Sequence, residues 1–354
     1  MLISEDRKAV LPSELVKAAE LHLTQDLYAQ ARQRGTSLSG ILEEIDPSTP
    51  DSVLDAFERQ LAVAGIKIAG PDADIIDRFF ASSESSILFP EYVSRSVRAG
   101  MDSFTKLSDI VAVRTQIDDD TYKTIYMDDS VLSSSNKRLA RVGEGAALPK
   151  LELQTAEHSI TIYKYGRYLE ASYEAIRRKR ASVVAVFLRA IGTQLQQDKF
   201  EDAMNVLING DGNSNAASVD NTAADGTLTY SDLVTFSLNF APYQMNVMIA
   251  NKTTAAKILN LTEFKDPAVA LAFQTEGEPI TPFGAALLID ESVSTDLIIG
   301  LDKRYALEEV YETGLLTESE RLIRQQLEGT AISEVAGFGK LIKSACRFLD
   351  IDWA

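Results

Sequence analysis

Ala171–Gly212, ASYEAIRRKRASVVAVFLRAIGTQLQQDKFEDAMNVLINGDG, reads as the longest uninterrupted helix in the chain and ends in a hard stop. Val184, Leu188, Ile191 and Leu195, then Ala203 and Leu207, recur at three- and four-residue steps and draw one apolar stripe along a helical cylinder. That stripe must be buried. Ser172 or Ser182 is placed to cap the start, and Asn209-Gly210-Asp211-Gly212 supplies the left-handed turn that closes the last carbonyls. At 1.5 Å per residue, roughly thirty helical residues make a rod of about 45 Å, longer than a compact domain needs for its own core. The rod is a spine on which other parts of the chain are built.

The totals narrow the function classes. A chain of 354 residues buries about three quarters of its unfolded surface and divides into one to three domains. Its formal charge of −17 repels a polyanion at long range, and a surface built to grip nucleic acid needs clustered Lys and Arg instead. The expected partner is protein. No run of eighteen apolar residues is present, and Met1–Lys8 is too charged for a signal peptide, so the chain is read as cytoplasmic in origin with no membrane association. Two histidines, His22 and His158, give zinc or His-based acid–base chemistry little material. Cys346 is read as a buried small hydrophobe. With no G-x-S-x-G elbow, Walker loop or H-E-x-x-H, neither a catalytic residue nor a cofactor or metal site is assigned. Asn209–Asp220 departs from a calcium loop at its sixth and twelfth positions, Ser214 and Asp220, and reads as a helix stop and loop.

Upstream of the spine, Leu11, Leu15, Ala18, Ala19, Leu23 and Leu27 suggest one amphipathic helix that starts after Pro12-Ser13 and stops near Gly35. A short helix over Ser37–Ile45 and a third from Val53 to Gly65 follow. These are too short for a free-standing core, so they are expected as an arm or a small subdomain docked on something larger. Asp72–Met101, with IIDRFF and ASSESS, shows no single period and reads as a draped connector. Ile110–Gln116 and Tyr122–Met127 alternate about Asp118-Asp119-Asp120, which predicts a β-hairpin. Ser130–Lys150 is polar and glycine-containing, and Leu151–Leu169 alternates again. Long strands around a polar tip describe an excursion that cannot bury both faces against its own domain and so needs a neighbour. Beyond the spine, helices at Tyr230–Phe240, Thr253–Leu261 and Phe264–Phe273 alternate with strands at Met245–Ala250, Ala285–Ile289 and Leu297–Gly300. That alternation predicts an α/β module of roughly a hundred residues. RFLDIDW suits a closing strand.

The order of these parts resembles the major capsid proteins of tailed bacteriophages, the Hong Kong ninety-seven type. The resemblance rests on Glu144–Pro149 (EGAALP), Leu207–Gly212 (LINGDG) and Thr281–Glu291 (TPFGAALLIDE), in that order around the spine, and covers about Phe89 to the end. It implies an α+β fold with an amino-terminal arm over 1–94, a peripheral domain beginning at 95–115, and an extended β-hairpin loop over 116–165. The spine helix and more of the peripheral domain then take 166–227, an axial domain 228–316, and closing peripheral strands 317–354. It also implies a virion protein, assembled in the host cytoplasm, whose copies associate as hexamers and pentamers into an icosahedral shell. That shell encloses double-stranded DNA without binding it specifically. Portal, decoration and scaffolding proteins are the other implied partners, and in the family the loop and arm lie over adjacent subunits. Candidate contacts between subunits are Lys137, Arg138, Arg141 and Glu144 on the loop, and Arg177, Arg178, Lys179 and Arg180 at the spine. The last four either meet acidic residues of a neighbour, with Asp118, Asp119 and Asp120 as candidates, or form a solvated helix face. An encapsulin-like nanocompartment with a protein cargo is the alternative of the same fold, and a soluble α/β enzyme the alternative of another class.

Overall fold

A computed structural model describes residues 12–50, 52–119, 121–126, 142–145, 154–172, 178–265, 284–312, 314–322 and 327–354. The chain divides into two compact units, Met1–Phe104 with Lys164–Gln196 and Thr313–Glu334, and Thr105–Tyr163 with Gln197–Glu312 and Val335–Ala354.

The first unit is mainly helical. α1 (Pro12–Glu20), α2 (Asp26–Gln33), α3 (Leu38–Ile45) and α4 (Ala56–Val63) are short. Ser37 caps α3 through the Gly40 N–H, and Asp55 and Glu58 form a capping box on α4. The single helix expected from Pro12-Ser13 to near Gly35 is two, because the chain breaks at 21–25 and buries Leu23 inside the break. Of the two expected placements, arm or docked subdomain, the structure shows the docked subdomain. Leu27, Ile41, Leu42, Phe57 and Leu61 join Phe79, Leu88, Tyr92 and Val97, and Ala185 and Leu188, in one core.

The draped connector is overturned most clearly. Ile76–Phe80 is a 3₁₀ turn and Ser83–Ser103 is a 21-residue helix, α5, which runs unbroken through 94–95, where arm and body were divided. The serines that looked like linker start it: Ser82 accepts from the Ser85 N–H, and the Ser85 side chain reaches back to the cap. Leu88, Tyr92 and Val97 then bury one face, and the Tyr92 hydroxyl donates to the Ala181 carbonyl at 2.5 Å. Burial raises the pKa of that phenol far above its usual value.

The spine is α6 (Ala181–Asn209), shorter at its start than the sequence suggested. Ala171 and Ser172 end a strand, β4 (Ile162–Ser172). The segment before α6 is held extended: the Ile76 N–H donates to the Lys179 carbonyl at 2.9 Å, and the Ala181 N–H to the Asp74 carbonyl at 2.8 Å. α5 and α6 cross at two glycines. A Cβ on Gly192 would lie 2.0 Å from the Val97 carbonyl oxygen, and one on Gly100 2.0 Å from that of Arg189. Only hydrogen fits at either place. The stop is as expected, with Gly210 and Gly212 both at positive φ. β10 (Leu316–Leu322) and β11 (Leu327–Lys340) form an antiparallel ladder, and β4 pairs with β11. α6 and β11 each begin in the first unit and end in the second.

In the second unit, β1 (Val111–Gln116) runs parallel to β9 (Leu307–Tyr311), and β9 runs antiparallel to the end of β11. The hairpin expected across Asp118–Asp120 does not form. The Ile117 N–H continues the ladder to Tyr311, whereas the carbonyls of Tyr122 and Thr124 accept from Ile160 and Ala156. What pairs is β2 (Ile125–Tyr126) with β3 (Gln154–Thr155), which closes the base of the excursion. Residues 127–141 and 146–153 of the expected loop lie outside the described residues.

A second sheet has the order β5-β12-β8-β6-β7, from β5 (Ser218–Asn221), β6 (Val247–Ala250), β7 (Ala286–Ile289), β8 (Leu297–Leu301) and β12 (Cys346–Asp350). Residues 346–350, grouped with the closing peripheral strands, thus pair with β8 and β5. α7 (Tyr230–Leu238) and α8 (Lys252–Leu259) match the expected helices, capped by Thr229 and Asn251. Of the helix expected over 264–273, α9 (Thr262–Lys265) covers the start, and 266–273 lie outside the described residues. Leu233, Phe236, Phe240, Met248, Ile258, Ile298 and Leu349 form the core.

Candidate functional site

An α-helix on a protein surface normally shows one apolar face, and the amino-terminal half of α6 shows two. Ala181, Ala185, Leu188 and Leu195 are buried. Val183, Val186 and Phe187, at steps of three and one, are 47, 57 and 68 % exposed, and Ala190 continues the line. This second stripe obeys the same helical spacing as the first and was legible in the sequence, but only one stripe was needed for a core.

Arg178, Lys179 and Arg180 stand exposed just before this stripe. The extended backbone that ties Lys179 and Arg180 to residues 74–76 fixes their position, and the Arg180 guanidinium also donates to the Pro71 carbonyl. Three cations therefore rim an uncovered apolar face. Arg177 lies outside the described residues. Asp118 and Asp119 are exposed where β1 ends, in the other unit, and Glu144 is exposed. Asp120, Lys137, Arg138 and Arg141 lie outside the described residues.

A second group of charges escaped the sequence reading. Lys199 on α6, fully buried, donates to Glu309 Oε1 at 2.6 Å, and Arg114 Nε lies 2.8 Å from Glu309 Oε2. The next residue, Glu308, accepts from Thr115 and, at 3.0 Å, from the Tyr122 hydroxyl. Burial, then the Glu308 charge, raises the Tyr122 pKa. Glu308 and Glu309 point to opposite faces of one strand, so β9 fastens the spine on one side and the root of the excursion on the other. Ile117, Ile160 and Val310 pack that root. No local pattern marks such a cluster, because its members come from three distant stretches.

Cys346 is buried, and burial raises its pKa, the reverse of what an attacking thiolate needs. Among the described residues no three His, Cys, Asp or Glu side chains converge to hold a metal, and no helix is long and apolar enough to cross a membrane.

Comparison with known proteins gives a direct result. Residues 155–339, more than half of the chain, match the family model described as phage capsid protein. No curated protein matches the chain by sequence. Among solved structures, the capsid of an empty GTA particle is similar over 71 % of this chain and 90 % of its own, with 14 % identity and a TM-score of 0.52. The capsid of the native GTA particle is similar over 71 % and 91 %, with 13 % identity and a TM-score of 0.50. At such identity these two likenesses speak for the fold alone.

Proposed function

The chain belongs to the phage capsid protein family, and from that premise we propose that copies of it close into an icosahedral shell around double-stranded DNA. The phage major capsid protein is a structural component of the virion. In our reading its copies associate as hexamers and pentamers in the host cytoplasm, where a portal protein and decoration or scaffolding proteins join them. The rod α6, β4 and the β10–β11 ladder form the peripheral part, residues 116–165 the extended loop, and the sheet β5-β12-β8-β6-β7 the axial part.

The observation that carries this reading is the stripe Val183, Val186 and Phe187. Covering three side chains that are about half exposed is worth on the order of 2–5 kcal/mol per contact. One such contact is weak, and many closing on one another are not. Arg178, Lys179 and Arg180 beside the stripe favour an acidic approaching surface, and every copy carries a net charge of −17. Asp118, Asp119 and Glu144, all exposed, are available to meet them. The same net charge suits a container that does not adhere to its contents.

The test is Phe187→Asp combined with Val186→Asp. Purified variant subunits should stay folded, with an unchanged melting temperature, and form no closed particles by electron microscopy. Normal shells from the double variant would remove the stripe from the account. Deleting Ser130–Lys150 should likewise leave a folded subunit that does not close.

A further inference from the structure

The stop after α6 does more than end a helix. Asp211, Asn213 and Asn215, the alternating polar residues by which Asn209–Asp220 partly resembles a calcium loop, spend their side chains on backbone groups of the second unit. Asn215 Oδ1 accepts from the Asp211 N–H at 3.0 Å. Asp211 Oδ2 accepts from the Lys340 N–H at 2.9 Å, at the end of β11, and its Oδ1 accepts from the Asn213 N–H at 3.2 Å and the Asn213 side-chain amide at 2.9 Å. The chain turns on either side of Asn213, with Gly212 and Ser214 both at positive φ. The Asn213 side chain is thereby aimed and held.

Its target is one residue on the returning strand of the excursion. Asn213 Oδ1 accepts from the His158 N–H at 2.9 Å, and Nδ2 donates to the His158 carbonyl at 3.2 Å. The side-chain amide thus supplies both the acceptor and the donor that a neighbouring strand would supply. Among the described residues, no other hydrogen bond runs from the rest of the unit to Ala156–Ile160. The Ala156 and Ile160 N–H groups go to the carbonyls of Thr124 and Tyr122, and Lys123 reaches the Glu157 carbonyl, all inside the excursion. Those bonds hold its two strands together without fixing where the pair points, and packing of Ile160 on Val310 adds contact without direction. The outgoing strand has its own grip, the Tyr122 hydroxyl on Glu308 of β9. Two grips, one on each strand and each from a different element, fix a direction, whereas one alone leaves a pivot.

We propose that Asn213 is a positioning residue that sets the direction in which the excursion leaves the subunit. That this direction serves assembly rests on the shell reading above. The chemistry selects asparagine: Asn213→Asp keeps the shape, loses the donation to His158 and sets a second carboxylate against Asp211.

The test places spin labels on unassembled full-length subunits at Ile125→Cys, exposed on β2, and Glu201→Cys, exposed on α6, and reads the distance between them. The native Cys346 is buried and stays unlabelled. With Asn213 in place the distances should form one narrow distribution. Asn213→Ala and Asn213→Asp should each widen it at least about twofold, as a local release does, while the melting temperature stays within about 2 °C. Lys123→Ala, which removes a bond inside the excursion, should leave the width as it was. An unchanged width in Asn213→Ala, or widening only together with a large fall in melting temperature, would overturn the proposal. Widening in Asn213→Ala that Asn213→Asp does not share would overturn it too, since the donated bond would then not matter. In assembly, Asn213→Ala should lower the yield of closed particles about tenfold, because a misdirected arm cannot engage its neighbours together. Full yield from a variant with widened distances would remove the role in assembly. If the wild-type chain forms no particles, the shell reading fails, and the label distances still decide for or against Asn213.

Discussion

The sheet β5-β12-β8-β6-β7 and the helical unit solve the same problem differently. In the sheet, all four residues of β6 are buried, and Asp302 is fully enclosed, bonded to the Gln244 N–H, Asn246 and Arg304. The charge at its centre is satisfied from within, while Leu238, Val219 and Ile289 at its rim stay exposed. The helical unit has an equally dense core around Phe57, Phe79 and Leu88, yet it leaves Phe187 bare on α6 and an open edge on β10. Both regions keep apolar surface in reserve, but in the helical unit Val183, Val186 and Phe187 gather it on one face of one helix, whereas in the sheet unit Val219, Leu238 and Ile289 scatter it over three elements. A buried core fixes the subunit, and surface held back in this way commits the subunit to others.

That contrast can be broken from the largest effect to the smallest. Phe236→Ala in the sheet core should cost about 3–5 kcal/mol in denaturant unfolding, since Phe236 is 1 % exposed and stacks edge-on against Phe240. Gly192→Ala should cost about 1–3 kcal/mol, because the added methyl meets backbone on α5 rather than a flexible side chain. Acid should weaken the sheet unit through three carboxylates, and the helical unit through one, Glu43. Burial alone would raise Asp232, Asp290 and Asp302, but hydrogen bonds from Thr229, Lys106 and Arg304 outweigh it and hold all three below the usual carboxyl range. Folded pKa values below the unfolded ones mean stability that is fully present above about pH 4 and is lost as pH falls through the depressed values. A denaturation midpoint measured against pH should fall there, and Asp302→Asn should flatten the fall. Smallest of all, Phe187→Asp should change subunit stability by no more than about 0.5 kcal/mol while removing assembly. A large loss of stability from that substitution would mean that the stripe belongs to the subunit's own core.

How much of this was legible follows from range. α7, β6, α8, β7 and β8 were readable because each is a short periodic or apolar run beside a capping residue such as Thr229 or Asn251. α5 was missed because Ser82 and Ser85 look like linker until one of them is seen to cap. Residues 171–172 read as helix by local preference, but β4 carries them. Lys179 and Arg180 are likewise held out of the helix by residues 75–76, which no window around the spine contains. β1 was recognised as a strand and given the wrong partner, since alternation shows which face is buried and not which distant strand, β9, lies alongside. Of the candidate contacts, Arg178, Lys179 and Arg180 do stand together in the open. What they would touch is not written near them, because the account places it on another molecule.

Electron microscopy of the purified wild-type chain tests that claim most directly. The account predicts closed particles of uniform diameter in which Val183, Val186 and Phe187 are covered by another copy. A monodisperse monomer at high concentration, or a closed shell with that stripe still facing solvent, would contradict it.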